Sequence, residues 1–282
     1  MVVKFSMFVM CFLTALISYG AFGEEKSLSQ KIATLYEVLS QDTWYGYKRT
    51  KFSFDGKVAW VVEPNTEPLE GKPWTWTMQW AEAYVKRTGV PDALKLGYHH
   101  ATIELFETRM NDEGLKIAAR FQRYLTQELG FAPKVNLVGM SWGGFFSIRY
   151  ASKYPSNVKS IYLDAPLLNF DAFSPNNAPT KAAKMIGNWS LTMPKSGKWC
   201  DDERMPVNNA EKIAQAQIPI LLLYGAQDQT VRPEYNSIVF IERFKKAGGD
   251  IKVIKRGMYG HHPHGVDLDE TSLILDFFLS KN

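Results

Sequence analysis

Apolar positions along this chain gather into short runs separated by turn residues. Ile218 and Ile220-Leu221-Leu222-Leu223-Tyr224 form one run, Val135-Asn136-Leu137-Val138 another, and Val58-Ala59-Trp60-Val61-Val62 a third. Runs this short and this uniformly apolar predict strands buried on both faces. Further strands are predicted over 47–54, 98–105, 158–163 and 251–255. Asp55-Gly56 joins 47–54 to 57–63 as a type I′ turn, whose two central residues both need positive φ.

Between these runs the apolar spacing turns helical. Helices are predicted over 27–40 (Ile32, Leu35, Val38, Leu39), the Trp-rich 74–87, 113–129, 143–154, 234–247 and 268–279. Asn111 is placed to cap the third of these and Gly130 to stop it. Strand–helix alternation predicts the α/β class: a mostly parallel sheet flanked by helices. Residues 167–217 break the rhythm, with four prolines and no clear strand. An insertion of that length suits a helical or irregular lid over a site, walled by Phe170, Phe173, Trp189 and Trp199.

The first 23 residues read as a secretory signal. Lys4 supplies the positive end, 5–17 is apolar except for Ser6 and Thr14, and Ala21-Phe22-Gly23 offers small residues for cleavage before Glu24. Residues 24–282 are then the folded domain, expected to be secreted or periplasmic and not stably inserted in a membrane. A retained anchor is the alternative, although the segment is short for a span of about 20 residues. Without the signal Cys11 is lost and Cys200 stands alone, so no internal disulfide forms.

Composition narrows the partners. The chain has 282 residues, 45% hydrophobic and 22% charged, with a net charge of +4 that is spread along it. No run of Lys and Arg marks a nucleic-acid surface, so that partner class is not expected.

Three segments carry candidate chemistry. Gly139-Met140-Ser141-Trp142-Gly143-Gly144 matches G-x-S-x-G between a buried strand and a helix, the setting of a nucleophile elbow. Such a turn exposes the Ser141 hydroxyl and aims the backbone N–H of Trp142 at a developing oxyanion. Asp228 follows the strand ending at Tyr224, where a carboxylate can orient an imidazole. Asp164, ending the preceding strand, is the alternative acid. Gly260-His261-His262-Pro263-His264-Gly265 follows the last strand. His261 is the expected base, because Pro263 restricts His262, and His264 is the alternative base. The second oxyanion N–H is expected from the turn at Trp74. The histidine cluster carries no metal-binding spacing, and no dinucleotide or P-loop fingerprint is present, so neither metal nor cofactor is expected. His99 and His100 are expected to be structural.

The order Ser141, Asp228, His261 is that of the α/β-hydrolases, and the chain resembles that superfamily over its mature length. More narrowly it resembles exported bacterial serine esterase- and peptidase-like hydrolases. The segments that carry this likeness are Gly71-Lys72-Pro73-Trp74-Thr75-Trp76, Tyr162-Leu163-Asp164-Ala165-Pro166 and the closing Gly-His-His-Pro-His. Trp142 departs from many relatives, which carry Arg after the nucleophile. The resemblance implies a Ser-Asp-His mechanism on a small-molecule or carbohydrate ester. A peptidase using the same residues is one alternative. A non-catalytic carbohydrate-binding protein on the same fold is another.

Overall fold

The computed structural model describes residues 26–172 and 195–280. The buried runs form one nine-stranded sheet: β1 (Val38–Trp44), β2 (Tyr47–Phe54), β3 (Lys57–Val62), β4 (Trp74–Thr77), β5 (His99–Ile103), β6 (Val135–Met140), β7 (Val158–Asp164), β8 (Ile220–Gly225) and β9 (Ile251–Arg256). Their order is β1-β2-β3-β5-β4-β6-β7-β8-β9. β1, β2, β3 and β5 pair antiparallel in succession, and every pair from β5 to β9 is parallel. The hairpin at Asp55-Gly56 has φ of 50° and 72°, as a type I′ turn requires.

Both faces of the central strands β6, β7 and β8 are covered, which explains their largely apolar sequences. Leu137, Ile161 and Leu222 point into the larger core, under α3 (Asp112–Gln127), α4 (Trp142–Lys153), α5 (Ala210–Gln215) and α6 (Ser237–Lys246). Val138, Tyr162, Leu221 and Leu223 point the other way, against α2 (Val90–Lys95) and α7 (Ser272–Leu279). Alternate residues of one strand thus feed two cores, the geometry of a period-two backbone. α3 begins as its sequence suggests: the Asn111 side chain accepts from the Gly114 N–H.

Two predicted helices are corrected. The first, α1, spans only Leu28–Ala33, and the chain then turns into edge strand β1. Leu35 and Leu39 are 57% and 46% exposed, so the periodicity at 27–40 is not a core stripe. The second, 74–87, opens as strand β4, seated between β5 and β6. Trp-Thr-Trp-Thr is a β-branched and aromatic alternation, and it serves two faces. Trp76 packs on Phe121 and Tyr150, whereas Thr75 meets His100. Only Val85–Arg87 is helical, as one 3-10 turn.

The described parts of 167–217 send several apolar side chains into the core. Leu167, Leu168, Phe170, Trp199, Met205, Val207 and Ile213 are all buried there. Residues 173–194, with Phe173 and Trp189, and residues 1–23, where a signal was expected, lie outside the described residues. No helix among the described residues is long and apolar enough to cross a membrane.

Candidate active site

Ser141 sits between β6 and α4 at φ 49° and ψ −116°, a strained conformation for a residue with a side chain. Strain of this kind costs about 1–3 kcal/mol and persists only where the surroundings enforce it. Here three backbone bonds do so. The Ser141 N–H donates to Asp164 O at 2.9 Å, and the Ser141 carbonyl accepts from Gly144 N–H and Leu167 N–H, each at 2.9 Å. Two glycines make room for the turn. A Cβ on Gly139 would fall 2.5 Å from Ser147 Oγ, and one on Gly144 would fall 2.3 Å from Pro166 Cβ. Gly143 is different: its Cβ would meet the backbone of Gln79 at 3.5 Å, an ordinary contact.

The loops that carry Asp228 and His261 follow β8 and β9 and are laced together. Ala226 N–H donates to Arg256 O and Gln227 N–H to Tyr259 O, both at 2.9 Å. Gly225 permits this approach, since a Cβ there would lie 2.2 Å from Gly260 O. Asp228 is buried, and its Oδ1 accepts the N–H groups of Thr230 and Val231 at 2.8 Å each. Its Oδ2 is thereby aimed at His261 Nδ1, 2.7 Å away. A carboxylate can only accept, so Nδ1 carries the proton and Nε2 offers a lone pair. Ser141 Oγ lies 3.0 Å from that Nε2. The structure therefore brings Ser141, His261 and Asp228 into one hydrogen-bonded chain.

The two alternative residues pair with each other. His264 Nδ1 lies 3.1 Å from Asp164 Oδ1, both residues buried. Asp164 Oδ2 accepts from the Tyr162 hydroxyl at 3.1 Å and from the Gly265 N–H. His264 is held off Ser141 by this pairing, with its ring edge-on to His261 at 4.8 Å. His262 is exposed and stacks on Tyr84, whose hydroxyl is 3.3 Å from its Nδ1. Burial first, then the neighbouring His261 and His264, push the His262 imidazole below its ordinary pKa. Arg87 and Arg256 hold the far side of the loop: Arg87 donates to His264 O and Arg256 to Gly265 O, and both pair with Asp267. Nothing in the sequence pattern singles out these two arginines.

Trp74 is corrected as the second oxyanion donor. It opens β4, whose Thr75 pairs with Asn136 and Thr77 with Val138. That register sets Trp74 beside the start of β6, about six residues and roughly 20 Å from Ser141 at 3.3 Å per residue. Its side chain is also buried in the core, donating to Ala132 O. The main chain that reaches the elbow is Gln79, two residues beyond β4, against Gly143. Reading 74–87 as a helix hid this position. Trp142 begins α4, where the first backbone N–H groups have no partner within the helix. Its indole is buried among Phe106, Phe145 and Phe170, with ring centroids 5.7, 5.4 and 5.7 Å away. His99 and His100 lie on β5, apart from this site, and are buried on opposite faces against Phe131 and Trp44.

Known proteins share this architecture. A family model described as alpha/beta hydrolase fold matches residues 87–195. Lipase 1 of Psychrobacter immobilis is 28% identical over 184 residues, covering 52% of this chain and 56% of the lipase. The chain spans about half the length of the curated relatives it matches. Among solved structures, an S-formylglutathione hydrolase from Agrobacterium tumefaciens superposes with a TM-score of 0.59. It is 17% identical, with 86% of this chain and 97% of that one covered. The acylaminoacyl peptidase of Pyrococcus horikoshii gives 0.59 at 12% identity, covering 87% and 49%. With its sheet order, its strand–turn–helix elbow and these likenesses, the chain has the α/β-hydrolase fold.

Proposed function

We propose that this protein is an exported serine hydrolase that cleaves carboxylic esters through an acyl-enzyme. The observation that carries the reading is the relay Ser141 Oγ, His261 Nε2, His261 Nδ1, Asp228 Oδ2, with links of 3.0 and 2.7 Å. Ser141 Oγ attacks the ester carbonyl carbon while its proton passes to His261 Nε2. The carbonyl oxygen becomes an oxyanion, for which the backbone N–H groups of Trp142 and Gln79 are the candidate donors. Asp228 stabilises the imidazolium. His261 then returns the proton to the departing alcohol, leaving an acyl-Ser141 ester. Water, deprotonated by the same imidazole, attacks that ester and releases the carboxylic acid and free Ser141.

The lipase name of the curated relative favours an ester over an amide as substrate. Export is the part of the reading that rests on residues 1–23 alone. A fluorophosphonate probe labels the wild-type protein at Ser141 and leaves Ser141→Ala unlabelled. Turnover of p-nitrophenyl esters falls in that variant by a factor on the order of 10⁶. Labelling elsewhere, or undiminished turnover by purified Ser141→Ala, defeats the assignment. A panel of peptides beside the esters identifies a peptidase if the amides are the better substrates.

A further inference from the structure

Three imidazoles meet beside Ser141, and only one is needed for the relay. Ring centroids lie 4.8 Å apart for His261–His262, 4.8 Å for His261–His264 and 4.9 Å for His262–His264. The three planes are nearly mutually perpendicular, at 72°, 80° and 88°. Three histidines bound to one tetrahedral zinc at about 2.0–2.1 Å put their ring centroids about 5 Å apart, so the rings already have the right spacing. One nitrogen from each lies within 4.8 Å of the others. A zinc-bound set would close to about 3.4 Å. His262 is exposed, and its ring would have to shift on Tyr84 as the three nitrogens close that gap.

The hydrogen bonds behind the rings favour the same ligand. Each Nδ1 is already occupied: His261 by Asp228, His264 by Asp164 and His262 by the Tyr84 hydroxyl. The Nε2 atoms are then the ones left to face a metal, His261 Nε2 exchanging its Ser141 Oγ contact for the ion. A carboxylate behind a ligating imidazole orients the ring and raises its basicity, which is how zinc-binding histidines are commonly supported. Two buried carboxylates behind neutral imidazoles also balance the two charges of the ion.

We propose that His261, His262 and His264 form an inhibitory site for a divalent zinc-class ion, bound through Nε2. The inhibition rests on the reading of His261 as the base; the binding does not. A zinc ion on His261 Nε2 takes the lone pair that otherwise accepts the Ser141 proton, so the metal-bound protein cannot form the acyl-enzyme. Magnesium prefers oxygen ligands and is expected to have no effect.

The test uses ZnCl2 on the full protein, with calorimetry for binding and p-nitrophenyl acetate for activity. One zinc binds per chain, turnover falls as the site fills, and EDTA restores it. Zinc sensitivity is read as the ratio of rates with and without metal in the same variant. His262→Phe, which keeps a ring against Tyr84, loses at least about ten-fold in zinc affinity and in that sensitivity. Ser141→Ala still binds zinc by calorimetry. Absence of binding heat, or unchanged zinc affinity in His262→Phe, overturns the site. Binding that depends on His262 in a protein without esterase activity leaves the site standing and removes the proposed function instead.

Discussion

Asp164 holds Ser141 through its backbone and the 261–265 loop through its side chain. Its carbonyl accepts the Ser141 N–H at 2.9 Å, while its carboxylate takes the His264 ring and the Gly265 N–H. One residue at the end of β7 therefore ties the Ser141 turn to the loop that carries His261. In the proposed mechanism Asp164 is a positioning residue, in contrast with Asp228, which touches His261 directly. Asp164→Ala is expected to cost about 3–5 kcal/mol, because it leaves buried partners unmatched. Asp228→Asn is expected to keep most of its stability and lose about 10⁴ in kcat. Melting temperature and kcat for both variants check this. A dead but stable Asp164→Asn beside an active Asp228→Asn would reverse the two roles.

The glycines of the elbow separate fold from chemistry. Gly144→Ala collides with Pro166 and is expected to lose about 1–3 kcal/mol of stability. Gly143→Ala finds ordinary contact distances, so its denaturation midpoint should hold. Its new methyl lies 3.5 Å from the Gln79 backbone N, the proposed oxyanion donor, so kcat should fall. Equal activity in Gly143→Ala and wild type would remove Gln79 from the proposed mechanism.

Trp199 was expected to wall a substrate pocket, and it is a core residue. It is 4% exposed and stands edge-on to Phe170, which stacks on Phe145 at 5.1 Å. Trp199→Ala should destabilise by about 3–5 kcal/mol and lower activity on small and bulky esters alike. A selective rise in KM for the bulky ester at unchanged melting temperature would restore the pocket role.

His99 and His100 give the fold an acid limit. Burial lowers their pKa values from 6.5 to about 4 and about 3. Below pH 6.5 the unfolded chain takes up protons that the folded chain refuses, so protons favour unfolding. Stability is complete above about 6.5 and declines as pH falls towards 3, by roughly 1.4 kcal/mol per pH unit for each histidine within its own window. Urea denaturation across this range should show a flatter pH dependence for His99→Phe and His100→Phe than for wild type. Parallel profiles for all three would show that neither imidazole is held neutral.

The sequence by itself determined the α/β class, seven of the nine strands and the order of Ser141, Asp228 and His261 along the chain. It could do so because a strand buried on both faces is continuously apolar, and a turn such as 139–144 needs glycine where a Cβ would collide. Tertiary structure decided β1 and β4. Trp74-Thr75-Trp76-Thr77 becomes a central strand because β5 and β6 flank it, and four residues are too few for periodicity to reveal that. The same fact moved the oxyanion candidate from Trp74 to Gln79. The pairing of four candidates into His261 with Asp228 and His264 with Asp164 was likewise decided in three dimensions. Both acids end neighbouring strands and both histidines share one loop. Only the lacing of that loop to Ala226 and Gln227, and its clamp on Asp164, sets which ring faces Ser141.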